Sequence, residues 1–430
     1  MILTTLTDQE ITMTLTALAS LLAGAFVIGK IFEKIQAPKV VGEIIGGMLF
    51  GGTFLGAVMP ELMSSIFNSF SEEGKVLNIF YQLGLSFLMF SSGYNTKIDL
   101  QKKNANIFVS LFIGATIIPM LAGLPFVGPF APYFIGKAGN HAAFVLVFII
   151  GVAITSIPVI SKIFFDMGII NTRFANVVLT ASTLQDLCLW ILLNTAIDIA
   201  QSQELNVASM CVVILLTLAL FLIIHFIGRK LETVDIRISN SSFMQLCFIC
   251  LFGIVAALSI LKINIMYSAF LTGYIIRSIT NKDKNAEEKV KCITEFSFAF
   301  FIPVYFALVG IQLNLLHNFS LVRFLLFFML AFVLEWIGTV FLLLTTTKLK
   351  KKVIWNFGIT MNARGGPGIV LATVAYNYGI INIEFFTVLI LTTMLSSLIA
   401  GYWLRRQQKK DETIFDNLTE GEEITCKSSF

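Results

Sequence analysis

The sequence predicts an all-α polytopic membrane protein of about 13 transmembrane helices, built as inverted repeats with two broken, crossing helices. Three observations predict it. The chain is 57% hydrophobic and 13% charged, with a mean hydropathy of +0.85. Its apolar residues come in blocks of about 20, the length that carries a helix across a bilayer core of about 30 Å. Two of the blocks hold helix-breaking residues near their middle, where a spanning helix would otherwise be continuous.

Taken in order, the blocks place spans at 11–32, 40–60, 75–95, 104–128, 143–165, 174–200, 206–228, 241–260, 263–280, 291–314, 319–347, 353–378 and 384–404. With the N-terminus outside, the loops put all but five of the 30 Lys and Arg on the cytoplasmic side. The exceptions are Lys75, Lys137, Lys262 and Arg323 outside, and Arg364 within a span. Such an asymmetry sets orientation, places the C-terminus inside, and would be scrambled by one missed helix. The first residues, MILTTLTDQE, lack the basic region of a cleavable leader. Residues 1–410 thus form one membrane domain. The tail 411–430, DETIFDNLTEGEEITCKSSF, is short, acidic and polar, and is expected to be disordered.

Composition also excludes function classes. The 41 phenylalanines and 14 methionines suit lipid-facing and packed helices and identify no cofactor. The formal charge of +4 comes mostly from loop lysines, so no nucleic-acid partner is implied. No nucleophile–base constellation or metal-ligand cluster marks an enzyme. His141, His225 and His317 are scattered. Among the six cysteines (Cys188, Cys211, Cys247, Cys250, Cys292 and Cys426) only Cys247 and Cys250 are close, and they read as small apolar helix residues.

The fifth span contains GVAITSIPVIS, with Thr155, Ser156 and Pro158 near its middle. The twelfth contains GITMNARGGPGIVLA, with Asn362, Arg364, Gly365, Gly366, Pro367 and Gly368. Proline removes a backbone donor and glycine weakens a helix. Interrupted helices persist at membrane depth only where neighbours or a wet cavity satisfy the freed backbone groups. The two run in opposite directions at corresponding places, which is the sequence pointer to an inverted-repeat secondary transporter. Spans 1–6 and 8–13 form the repeats, with span 7 joining them.

From Phe174 to Ile197 the only ionisable charge is Asp186. An aspartate near the centre of a spanning helix costs roughly 2.5–3.5 kcal/mol on insertion scales and is usually retained to handle ions or protons. Ser182 and Thr183 precede it by four and three residues, on the same helical face. One carboxylate and two hydroxyls suit a hard monovalent cation. Burial also favours the protonated form of a carboxyl, so one group can trade a proton for a cation.

The chain resembles the monovalent cation–proton antiporters that include the Kef-like and NapA-like proteins. The likeness is carried by APKVVGEIIGGMLFG (37–51), LGLSFLMFSSGYNTKIDL (83–100), TSIPVISKIFFDMGIINTRFANVVLTASTLQDLCLW (155–190), FFIPVYFALVGIQLNL (300–315) and MNARGGPGIVLATVAYNYGIIN (361–382). The resemblance implies an NhaA/NapA-like antiporter fold in which a transport core (spans 4–6 and 11–13) moves in an elevator-like motion against a dimerising scaffold (spans 1–3 and 8–10). It also implies a homodimer in the plasma (inner) membrane, monovalent cation and proton as substrates, the lipid bilayer as surroundings, and Asp186 as main ion carrier. The ion and proton site is then Asp186 with Gln185, Thr183, Ser182, Thr155 and Ser156, holding the monovalent cation at Asp186.

Two departures bear on mechanism. Many electrogenic members have adjacent acids where this chain has Gln185–Asp186, and a lysine where LEWIGTVF (334–341) places Glu335. Glu335 needs a partner, and Arg364 in the next span is the cation at hand. The pair is expected to neutralise the crossing, the alternative being a titrating Glu335. Electroneutral one-for-one exchange, of Na+ or K+ for H+, is preferred. Two other readings compete. A Kef-like potassium efflux channel subunit would go with a nucleotide-binding domain and its glycine-rich loop, which these residues do not contain. A symporter for a small organic anion would call for more cationic contacts than Arg364. Glu43 reads as interfacial or as a gate. The glycines at 42, 46, 47, 51, 52 and 56 read as close helix packing, with dimer contact as the alternative. Asp198, Gln312 and Asn314 read as helix-end residues or as lining the ion route.

Overall fold

The computed structural model describes residues 5–35, 37–95, 105–170, 172–202, 240–260, 265–280, 284–317 and 319–411, with 414, 415 and 418. The seventh drawn span, 206–228, lies outside these residues, as do Cys211, His225 and Cys426. Among the described residues the chain is helical, with one isolated antiparallel bridge between Ile135 and Ile381. Eight helices among the described residues are long and apolar enough to cross a membrane. The chain divides into two compact units. One comprises Met1–Thr96 with Cys211–Phe319, the other Lys97–Met210 with Ser320–Phe430.

The first unit contains α1 (Asp8–Lys34), α2 (Lys39–Met48), α3 (Leu55–Val58), α4 (Pro60–Phe67) and α5 (Glu73–Asn95). From the later segment it takes α10 (Asn240–Ile260), α11 (Ile265–Thr280), α12 (Lys284–Ala299) and α13 (Phe301–Ile311). A capping box starts α1: Glu10 N–H donates to the Thr7 hydroxyl at 3.3 Å, and Thr7 N–H to the Glu10 carboxylate at 2.8 Å. The drawn span 40–60 is not one helix. It stops at Met48, because Gly51 and Gly52 weaken the next turn and Pro60 can begin a helix but not continue one. The drawn span 291–314 is likewise interrupted at Phe300, three residues before Pro303.

The α2 glycines are used within the chain. Gly42 and Gly46 lie against the backbone of Gly29 and Gly24 in α1. On the opposite face, Gly47 lies against the Ala307 carbonyl of α13, whose own Gly310 lies against the Ile44 carbonyl of α2. A side chain at any of these would push two backbones apart, so small residues fix the spacing of these helices.

The second unit contains α6 (Ala105–Phe134), α7 (His141–Val152), α8 (Ile157–Asp166), α9 (Arg173–Ser202), α14 (Leu321–Thr346), α15 (Lys351–Met361), α16 (Gly366–Asn377) and α17 (Ile383–Lys410). One π-turn, Ile113–Ile117, interrupts α6 where Gly114 meets the Gly338 carbonyl of α14. At one end of the unit, rings of Phe130, Phe134, Phe148, Phe327 and Phe385 pack with centroids 4.5–6.2 Å apart. At the other, Phe174 stacks on Phe357 at 4.3 Å and meets Phe415 at 5.0 Å. Phe415 belongs to the tail expected to be disordered. Its side chain, with those of Ile414 and Leu418, is buried in this apolar cluster, and the Lys350 N–H donates to the Leu418 carbonyl at 3.0 Å. Apolar burial explains the difference: these three are the large aliphatic and aromatic residues at the start of an otherwise polar segment.

Candidate functional site

The two helix breaks meet inside the second unit. Helix α7 ends at Val152, and residues 153–156 form a non-helical link before α8 begins. Ser156 caps α8, its hydroxyl accepting from Val159 N–H at 3.4 Å, and Pro158 stands in the first turn, where its missing N–H costs nothing. Helix α15 ends at Met361 with Asn362 bonding back to the Gly358 carbonyl at 3.1 Å, and α16 begins after Gly365 with Pro367 in its first turn.

The two links touch backbone to backbone. Ser156 N–H donates to the Ala363 carbonyl at 2.9 Å. A Cβ on Gly365 would fall onto Ser156 and Val159. The Ser397 hydroxyl of α17 donates to the Arg364 carbonyl. Four half-helix ends therefore converge on one place, and their orphan groups find partners there.

A buried charge pair sits at this crossing. The Arg364 Nη2 group donates to Glu335 Oε2 at 2.9 Å and to the Val152 carbonyl, at the C-terminal end of α7, at 2.8 Å. A cation at that helix end is favoured by the helix dipole. Arg364 and Glu335 side chains are 1% and 0% exposed. The Thr155 hydroxyl lies 2.5 Å from the Met361 carbonyl and 3.1 Å from Glu335 Oε1. It has one hydrogen for these two acceptors. Gln185 donates to the Ala153 carbonyl and, at 3.3 Å, to that of Ala115. Ala115 lies in the π-turn of α6, a distortion that takes carbonyls out of the regular ladder.

Asp186 lies near the middle of α9 and is 1% exposed. Neither carboxylate oxygen has a hydrogen-bond partner among the described residues. It borders a gap too small to hold a water molecule, walled by Ile150 of α7, Ile154 of the link that follows it, Leu189, Trp190 and Leu193 of α9, and Pro367 and Leu371 of α16. The wall thus comes from one half of each broken helix and from the carboxylate helix itself. Every other lining side chain is apolar except for the Trp190 N–H.

The other candidates are distributed around this centre. Ser182 and Thr183 are buried but do not line the gap. The Ser182 hydroxyl points at Met361 Sδ, 3.9 Å away, and the Thr183 hydroxyl bonds back to the Leu179 carbonyl at 2.9 Å. Thr155 serves Glu335, and Ser156 caps α8. In the first unit, Glu43 is 3% exposed and paired with Lys39 at 2.7 Å. Asn314 there accepts from the N–H groups of Leu316 and His317, and Gln312 donates to the Leu308 carbonyl. Trp190 was not among the residues singled out, although its place four residues after Asp186 puts it on the same face.

The description of one family, sodium/hydrogen exchanger, transmembrane, matches residues 18–409. Relatives include the Na(+)/H(+) antiporter NhaS4 of Synechocystis, 24% identical over 387 residues that cover 88% of this chain and 92% of that protein. The Na(+)/H(+)-K(+) antiporter GerN of Bacillus cereus is 25% identical over 397 residues, 90% of this chain and 94% of that protein. The K(+)/H(+) antiporter 1 of Saccharomyces cerevisiae is 27% identical over 390 residues, 86% of this chain but only 43% of that longer protein. Among solved structures, the sodium proton antiporter MjNhaP1 of Methanocaldococcus jannaschii superposes with a TM-score of 0.62, at 17% identity, covering 93% of this chain and 99% of that one. That likeness establishes the fold.

Proposed function

Because the chain belongs to the sodium/hydrogen exchanger family of transmembrane proteins, we propose that it is a secondary active antiporter in which Asp186 exchanges a monovalent cation, Na+ or K+, for H+. The observation that carries this reading is the buried carboxylate with two unpartnered oxygens beside a gap walled by both broken helices. A carboxylate in apolar surroundings is stable only when a proton or a cation neutralises it. The two compete for the same oxygens, so each must leave for the other to bind. Alternating exposure of that one group to the two sides then couples their flows.

One-for-one, electroneutral exchange follows from the neighbours. Gln185 is neutral and held by backbone carbonyls, and Glu335 is compensated by Arg364. Asp186 is then the one carrier whose charge changes. The second unit, with Asp186 and both breaks, is proposed as the moving transport core, and the first unit as a scaffold that forms a homodimer in the plasma membrane, the N-terminus outside and C-terminus cytoplasmic.

Cation-driven dequenching of a pH dye in everted vesicles tests the proposal. Wild type is expected to respond to Na+ or K+, and Asp186→Asn, which keeps the shape and removes the charge, to respond to neither, nor to Li+. Undiminished exchange by the asparagine variant would place the carrier elsewhere. An imposed membrane potential should leave the wild-type exchange equilibrium unmoved.

A further inference from the structure

Trp190 stands one helical turn beyond Asp186 and lines the same gap. Side chains on an α-helix lean toward its N-terminus, so a residue at i+4 covers the patch above residue i. That spacing puts the indole and the carboxylate on one face of α9, a turn apart. Trp190 is 4% exposed, and its Nε1–H has no hydrogen-bond partner among the described residues. A buried indole N–H ordinarily has one. Both Asp186 oxygens share that condition. A buried donor and two buried acceptors thus lie unpartnered on successive turns of one helix, on residues that border one gap. The aliphatic wall of Ile150, Ile154 and Leu371 offers neither of them anything else to bond.

We propose that the Trp190 indole N–H is a switchable donor to Asp186, engaging the carboxylate when it holds neither cation nor proton and withdrawing when either arrives. The proposal rests on the exchange reading above and assigns the residue that sets how tightly both substrates are held. A proton on Asp186 removes the charge that attracts the N–H. A cation takes the same oxygens and repels the positive edge of the indole. A donor that stabilises only the bare carboxylate therefore weakens proton and cation binding by the same factor, which keeps both exchangeable. Charged or titratable groups on the elements packed against α9 are Tyr133 on α6, His141 on α7, Lys162 and Asp166 on α8, Glu335 on α14, which meets Gln185, Lys351 and Lys352 on α15, Arg364 in the link after it, and Tyr376 on α16. Helix α9 itself adds Arg173, Cys188 and Asp198. Among the described side chains, none of these lines the gap.

The test uses the full chain in proteoliposomes, with exchange followed against pH and against the concentration of Na+ or K+. Trp190→Phe keeps a ring and removes the N–H, and Trp190→Gln keeps an N–H donor on a smaller side chain. In the phenylalanine variant the pH midpoint of exchange is expected to move about one unit to the alkaline side, and the apparent cation KM at alkaline pH to fall about tenfold, the size of one charge-assisted hydrogen bond. Trp190→Gln should keep wild-type values. A merely structural role would instead raise KM or lower the maximal rate without moving the midpoint, and that result overturns the proposal. So does a glutamine variant that behaves like phenylalanine. If the phenylalanine variant does not fold, Trp190→Leu replaces it in the comparison with Trp190→Gln. Full activity of Asp186→Asn would sink the exchange reading itself. An inactive Asp186→Asn beside an unshifted Trp190→Phe would sink the Trp190 proposal alone.

Discussion

Glu335 and Arg364 hold each other in a place that neither occupies cheaply alone, with exposures of 0% and 1%. Removing one partner of such a buried pair leaves an uncompensated charge and costs roughly 3–5 kcal/mol, whereas replacing both by apolar residues of similar volume is often near neutral. Glu335→Gln should therefore lower the thermal unfolding temperature in detergent far more than a double Glu335→Leu, Arg364→Met variant does. Equal loss in both would show that the pair is not the main stabilising contact. The two residues were legible in the sequence because each is a charge in an apolar run with no other partner nearby. Asp186 was legible for the same reason. The hydroxyls of Ser182 and Thr183 were legible only as sharing its face. Which way they point depends on the Leu179 carbonyl one turn back and on Met361, delivered from a distant helix. Trp190 gains its meaning from walls supplied by α7 and α16, which spacing along α9 does not disclose.

At the scale of elements, the broken helices announce themselves through Pro158 and the Gly365–Gly368 cluster, because missing donors and missing side chains are written in the residue types. Their contact is written there too, once the fold is known: Gly365 is where a side chain would strike Ser156 and Val159. Gly365→Ala should force the links apart, abolish exchange and cost about 1–3 kcal/mol of stability by overpacking. Gly128→Ala, which adds a methyl where nothing lies within 4 Å, should do neither. Comparable behaviour of the two variants would contradict the close crossing. Other breaks were not legible. The π-turn in α6 contains no proline, but Pro119 just beyond it withholds the N–H that the Ala115 carbonyl would accept, and Gly114 there packs on Gly338, 224 residues away in sequence by subtraction of their numbers. The end of α2 at Met48 was hidden because its glycines also satisfy a close-packing pattern. The structure shows them doing both.

At the scale of the whole molecule, alternating blocks and one-sided lysines disclosed a multi-pass membrane protein, since bilayer thickness and charge retention act on every span alike. An acidic average conceals three apolar residues at the start of the tail. Phe415 is fully buried against Phe174, so Phe415→Ala should cost about 3–5 kcal/mol of stability, read as a lower unfolding temperature, while Asp411→Asn at the adjoining surface should change it little. A Phe415→Ala protein as stable as wild type would mean that the tail contributes no packing. The central claim concerns Asp186, where one carboxylate serves both substrates in turn. The most direct measurement is the apparent cation KM of the reconstituted protein across a pH series. Competition predicts that KM rises as pH falls, by about tenfold per unit once the protonated carboxyl predominates, with the maximal rate unchanged. A KM that stays constant while the maximal rate falls would contradict it, for proton and cation would then be bound at different groups.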